Sequence, residues 1–323
     1  MKNIYIDYNI ILDILDRKQE NEIEMITSLK AREFCFFYSP AHIEEVARGL
    51  NCGKIDRDKA ISRLNEISSI TENHELLPYY SSTFNILASP HGVKGIQIAN
   101  EHPLECFERI HGSIESNVIA ENNQRDVITE GQDKFSSLDE KNKSIRLNEI
   151  NRLDPLTDIL GNISIKERLI NGFISLQVKS DTIEELMQQG YQIHPYTEVK
   201  DKFISHLAQN KLIQSHEYYS YLANALLSPP EKCYYKMKSN FDFIQNMVDI
   251  VMKELMRYGY KLESTTKAES TLHDHTHVIY ATACDYFICK DKRLVEKAKA
   301  TYAYLGVNTE VINANVNNWW LNI

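Results

Sequence analysis

The chain has 323 residues, 43% of them hydrophobic and 25% charged, with 11 Gly, 8 Pro and a formal net charge of −9. That balance excludes a fibrous or low-complexity sequence and fits one large globular domain or two smaller ones; the negative charge excludes a protein that coats nucleic acid by bulk electrostatics but permits a local basic patch. No run approaches the roughly 18 to 20 apolar residues of a membrane span, the N-terminal MKNIYIDYNIILDIL lacks the features of a signal peptide, and six cysteines without CxxC spacing are expected to be reduced thiols in a cytoplasmic protein.

In chain order, NIYID (3–7) is a short strand ending in Asp7, with Asn9 well suited to cap the helical ILDILDRK that follows. A further helical pattern around EIEMITSLKA leads to FCFFYS (34–39), a continuous apolar run expected of a strand buried on both faces. SPAHIEEVARG then starts a helix, with Ser39 as cap and Pro40 at the first position. The far end of the chain alternates in the same way, with VIYATAC (278–284) an apolar helix, DYFICKD a buried strand, KRLVEKAKATYAYL a helix and VNTEVIN a last strand. This alternation predicts an α/β fold with a parallel sheet and covering helices.

Residues 55–270 contain few strand runs; AISRLNEISSI, LECFERIHGSIESNVIA and FDFIQNMVDIVMKELMRYGY carry helical spacing. SSLDEKNKSIRLNE (136–149) fits a loop or an exposed helix, and SPPEK (228–232) a break between helices. The predicted organisation is a discontinuous α/β core, 1–54 with 265–323, interrupted by a mainly helical insertion, 55–264.

The acids fall at telling places on this frame. Asp7 and Asp291 follow strands, Glu45 lies on the helix after the second strand, and Asp274 starts the helix before the late strand. In an open parallel sheet the C-terminal strand ends share one edge, where ligands bind. Four carboxylates from distant segments are therefore predicted to meet in one crevice, where two unit charges about 4 Å apart repel by about 4 kcal/mol at an effective dielectric near 20. A divalent cation relieves that repulsion, and an all-oxygen ligand set suits Mg²⁺ or Mn²⁺ better than Zn²⁺. Such an ion can activate water against a phosphodiester. Beside Asp291, Lys292, Arg293, Lys297 and Lys299 form a local basic cluster, readable as a phosphate guide or as a solvated helix face.

IDYNIILDIL, YSPAHIEEV and DHTHVIYATACDYFICKD together resemble the three signature segments of PIN-domain nucleases. The resemblance covers roughly residues 1–50 and 265–315 and implies a three-layer α/β/α core with a central parallel sheet. It implies metal ligands at Asp7, Glu45, Asp274 and Asp291, with Asn9 supporting the first acid, and it matches Asp285 to a frequent acid of the family. It also implies RNA as substrate, single-stranded or structured, a toxin or defence role, and a protein antitoxin or regulator as partner. The long interval between Glu45 and Asp274 departs from compact members and leaves specificity open.

Rival readings exist for each residue. Asp7, Asn9 and Asp291 suit helix caps, Asp285 a cap between helix and strand, and His277 a packing or hydrogen-bonding role. Glu44 competes with Glu45. His273 and His277 at helical spacing permit zinc, and His273-Asp274 spells the HD pair of metal phosphohydrolases. The alternative to an enzyme is a catalytically silent PIN-like scaffold that binds partners through the helical insertion.

Overall fold

The computed structural model describes residues 2–15, 20–79, 95–111, 118–133, 137–162, 165, 168–169, 234, 238, 241–316 and 318–323. The SPPEK break lies outside them, as do parts of LECFERIHGSIESNVIA.

Four strands form one parallel sheet: β1 (Lys2–Ile6), β2 (Phe34–Phe37), β5 (Tyr286–Cys289) and β6 (Glu310–Asn313), in the order β2-β1-β5-β6. The register pairs Ile4 with Phe36 on one side and with Tyr286 on the other. Strands this apolar have no solvent face to offer, so both sides must be covered. Alternate residues indeed enter two different cores. Tyr5, Phe37, Phe287 and Cys289 enter one; Ile4, Ile6, Phe36 and Ile288 enter the other.

The second core is closed by α1 (Tyr8–Leu15), α2 (Glu20–Ala31), α3 (Pro40–Asn51) and α4 (Arg57–Thr71), through residues such as Ile10, Met25, Ile43 and Leu64. The first is closed by α8 (Phe241–Arg257), α9 (Ala268–Ala281) and α10 (Lys292–Leu305), through Met247, Val251, Val278 and Val295. The protein is thus α/β, with helices on both faces of a parallel sheet. Although the sequence assigns α8 to the insertion, its buried face lies in the same core as Tyr5 and Phe287. α10 ends at Gly306, whose φ of 75° gives the left-handed turn that glycine adopts without strain.

Between α4 and α8, the described residues include α5 (Pro103–His111), α6 (Val118–Asp133) and α7 (Glu140–Ile150, capped by Asp139). They also include two strands that the apolar pattern does not announce. β3 (His74–Pro78) and β4 (Ile96–Asn100) pair antiparallel, and β3 leans on the large sheet where the Tyr38 backbone donates to His74 O and accepts from Leu76 N. β3 begins with His74 and Glu75 and ends in a proline, and β4 carries Gln97 and Asn100, so neither shows the continuous apolar run that marks the sheet strands. α6 docks so closely on α8 that a Cβ added at Gly131 would lie 2.3 Å from Met256 O.

Candidate metal centre

Asp7 leaves β1 at its C-terminal end, its backbone N–H donating to Ile288 O at 2.9 Å. Its side chain is only 2% exposed and accepts from Asn9 Nδ2 at 3.1 Å, with the Cys289 thiol 3.6 Å from Oδ2. Asn9 therefore supports the first acid directly. Burial, and then the negative charge of Glu45, holds the Asp7 carboxyl above its ordinary value, although His277 opposes the shift.

Asp274 sits in the interior of α9 rather than at a helix start, the helix beginning earlier than the sequence suggested; its carboxyl is raised well above the carboxylate range by burial first and then by Asp7, with Asp291 and Glu45 adding to the effect. Glu45, on α3, faces His277 Nε2 at 3.5 Å. Asp291 caps α10, its Oδ1 accepting from Arg293 N at 2.7 Å and Leu294 N at 3.0 Å. Capping and proximity to the other acids coexist, so the two readings of Asp291 are not exclusive. Asp274 is thus within electrostatic reach of Asp7, Glu45 and Asp291, and Asp7 within reach of Glu45. Glu44 is also drawn in, its carboxyl raised by burial and by Glu45.

His277 is fully buried among these groups. Its Nδ1 is 2.7 Å from the Tyr5 hydroxyl, which also sits 2.7 Å from Ser39 Oγ. Its Nε2 has no short hydrogen bond and pairs loosely with Glu45 Oε1 at 3.5 Å. Burial disfavours charge on the ring, but Glu45, Asp7 and Asp274 outweigh it and raise its pKa. The neighbouring His275 points elsewhere, 3.0 Å from Asp249 Oδ1 on α8, which removes it from an HD-type ligand set.

The acids do not form a tight cage. Among the described residues, the three groups with ligand atoms all within 4.8 Å of one another are Glu75, Glu101 and Cys106. That cluster already holds a cation: Arg109 Nη2 lies 3.0 Å from Glu75 and 2.7 Å from Glu101, while burial pushes the Cys106 thiol up and away from thiolate. It is a structural knot under β3. Burial and then Glu101 raise the Glu75 carboxyl to about 7. The stability tied to protonated Glu75 is fully present below its unfolded value and is lost as pH rises through about 7. Glu75→Gln is therefore expected to gain stability relative to the parent as pH rises from about 4.5 to about 7, and to hold that difference above it, in thermal melts; parallel melting curves would contradict the shift.

Two of the residues singled out by sequence lie apart from the acids. Asp285 precedes β5, between helix and strand as the sequence has it, so it sits at the opposite edge of the sheet, accepting from Asn3 N at 2.7 Å and lining a cavity of about 600 Å³ with Thr309 and Asn308. It is a structural cap there. Asp285→Ala is expected to cost about 1 to 2 kcal/mol of stability and to leave chemistry at the acid site unchanged; an activity loss exceeding the loss of folded protein would restore Asp285 to the site.

Lys297 does not share the exposed face of Lys292, Arg293 and Lys299. It is 1% exposed, 3.8 Å from the buried Glu263. Arg293 also binds Glu263, at 2.9 Å. The exposed pair Lys292 and Arg293 line a cavity of about 490 Å³ with Leu147, Asn151, Lys261 and Asn313, where Asn313 ends β6. Glu296 lines this depression as well, and it enlists Lys261, which nothing in the sequence pattern singles out.

Compared with protein-family models, curated proteins and solved structures, the chain matches none.

Proposed function

We propose that this chain is a metal-dependent endoribonuclease with a PIN-like core, hydrolysing RNA phosphodiester bonds at Asp7, Glu45, Asp274 and Asp291. The observation that carries the reading is the gathering of Asp7, Glu45 and Asp291, from segments far apart in sequence, about Asp274, three of these four acids also acting on the buried His277. The donor set is all oxygen and suits Mg²⁺ or Mn²⁺. When bound, such an ion would supply Lewis-acid stabilisation of the phosphoryl oxygens and a more acidic water.

The protein's own groups have separate roles. Asn9 holds Asp7 by donating to Oδ2, and the amides of Arg293 and Leu294 fix Asp291. Tyr5 holds His277 beside Glu45. Lys292, Arg293 and Lys261 around the neighbouring depression offer charge to the RNA backbone.

A toxin or defence effector held by a protein antitoxin fits this activity, and the helical segment between the two halves of the core offers surface for such a partner. The spread of the carboxylates would also suit a silent binding scaffold, and one assay separates the two. Purified protein is incubated with labelled RNA and DNA in Mn²⁺ or Mg²⁺, with an EDTA control. Metal-dependent RNA cleavage that EDTA abolishes is expected; RNA left intact with either metal would sink the enzyme reading in favour of the scaffold.

A further inference from the structure

His277 is completely buried, and its two ring nitrogens keep unequal company. Nδ1 lies 2.7 Å from the Tyr5 hydroxyl, which is itself 2.7 Å from Ser39 Oγ. Nε2 has no short hydrogen bond, and the group it faces is Glu45 Oε1 at 3.5 Å. The ring of His42, with its centroid 4.8 Å away, is engaged elsewhere: its Nδ1 accepts from Ser39 N at 3.1 Å and its Nε2 meets Ile6 O at 2.8 Å. With the Tyr5 proton given to Ser39 Oγ, the tyrosine oxygen accepts from His277 Nδ1, and Nε2 turns a lone pair toward a carboxylate. A lone pair and a carboxylate oxygen repel unless a cation joins them.

We propose that His277 Nε2 is a metal ligand beside Glu45, adding one nitrogen to the carboxylate set so that the site takes a transition ion such as Mn²⁺ in preference to Mg²⁺. Two atoms bound to one ion at about 2.1 Å stand about 3 to 3.4 Å apart, so the 3.5 Å between Nε2 and Oε1 needs only a small shift for the pair to share an ion. Asp274 and His277, three positions apart on α9, lie on one face of that helix. An acid and a histidine at this spacing ligate together in carboxylate metal centres built on helices. Ligating histidines also have the other ring nitrogen held by a hydrogen bond, which fixes the tautomer and aims the ring. Tyr5 fills that part, as a positioning residue with Ser39 behind it. Imidazole suits ions that accept nitrogen, whereas Mg²⁺ is held by oxygen.

This inference rests on the metal reading above and is tested on the full chain with metal alone, without RNA. Pulsed electron paramagnetic resonance of bound Mn²⁺ detects a directly coordinated nitrogen by its hyperfine coupling. The parent is expected to show that coupling, and isotopic labelling of its histidines to change the pattern. His277→Gln is expected to lose the coupling and, in calorimetric titration, to bind Mn²⁺ about tenfold or more weakly while its Mg²⁺ affinity changes less. Tyr5→Phe keeps the aromatic ring, removes the hydroxyl that aims His277 and is expected to weaken Mn²⁺ binding about tenfold; it serves where Gln is not tolerated. A histidine kept for packing alone would move neither the spectrum nor the preference between the ions. A parent that binds Mn²⁺ without a histidine coupling, or variants that keep the parent's coupling and its preference for Mn²⁺, overturn the proposal while leaving the metal reading standing. A parent that binds no Mn²⁺ overturns both.

Discussion

Asp7→Asn, Glu45→Gln, Asp274→Asn and Asp291→Asn are each expected to lower metal-dependent RNA cleavage by at least about a hundredfold, since a displaced ion forfeits several kcal/mol of transition-state stabilisation. The substitutions keep the shape of each side chain and remove its charge. Asp291→Asn is the most instructive of the four. Asn caps a helix about as well as Asp, so the bonds from Arg293 N and Leu294 N can persist while the charge is lost. An activity loss without a stability loss at this position isolates the chemical role from the cap. Single-turnover rates in Mn²⁺ check the set, and full activity in any two of the variants would end the assignment.

The second large effect is on stability, and its sign separates a ligand from a merely structural acid. Asp7 and Asp274 both have carboxyls raised by burial and by neighbouring acids. Their favourable contribution is present below the unfolded pKa and is lost as pH rises through the folded one, so at neutral pH the metal-free fold is better off with Asn. Metal-free Asp274→Asn protein should therefore melt at the parent's temperature or above it. Mn²⁺ at a hundred times its dissociation constant adds about 2.7 kcal/mol to a protein that binds it only when folded. The parent should show that rise and the variant little of it. Asp274 lies in the interior of α9, which excludes a cap; were it only a structural acid, its loss would shift the melting temperature equally with and without metal. Melting curves recorded with and without Mn²⁺ decide; a variant that melts lower and keeps the full metal response contradicts the ligand role.

The parts of the fold that the sequence discloses are those where burial is one-dimensional. NIYI, FCFF and YFIC are apolar almost from end to end and lie mostly buried, so composition alone marks them as interior parallel strands. The acids that follow strands then fall at one edge by topology, which is why Asp7 and Asp291 were legible. The same rule, applied strictly, separates Asp285 from them, because it comes before its strand. Lys297 had a signal as well: with Leu294, Ala298 and Thr301 it forms an i, i+3, i+4, i+7 set on the buried face of α10. Its charge type concealed what its spacing indicated. Glu75, Arg109 and Glu263 had no such signal, since their roles come from pairings between segments that the chain does not place side by side.

The adjacency of β1 and β5 has a kinetic consequence. Asp285, at the head of β5, binds Asn3 across 282 positions of chain, and Asp7 N is held by Ile288 O. Contacts this distant close slowly, because loop entropy is lost before the pairing repays it. On a ribosome, where chains emerge N-terminus first, β1 would leave the exit tunnel and wait for β5 before its second edge is paired. Asp7 would meet Asp274 and Asp291 only then. The acid site is thus assembled only after Asp291 has emerged, so whatever chemistry it performs is withheld from a nascent chain until β5 has been made.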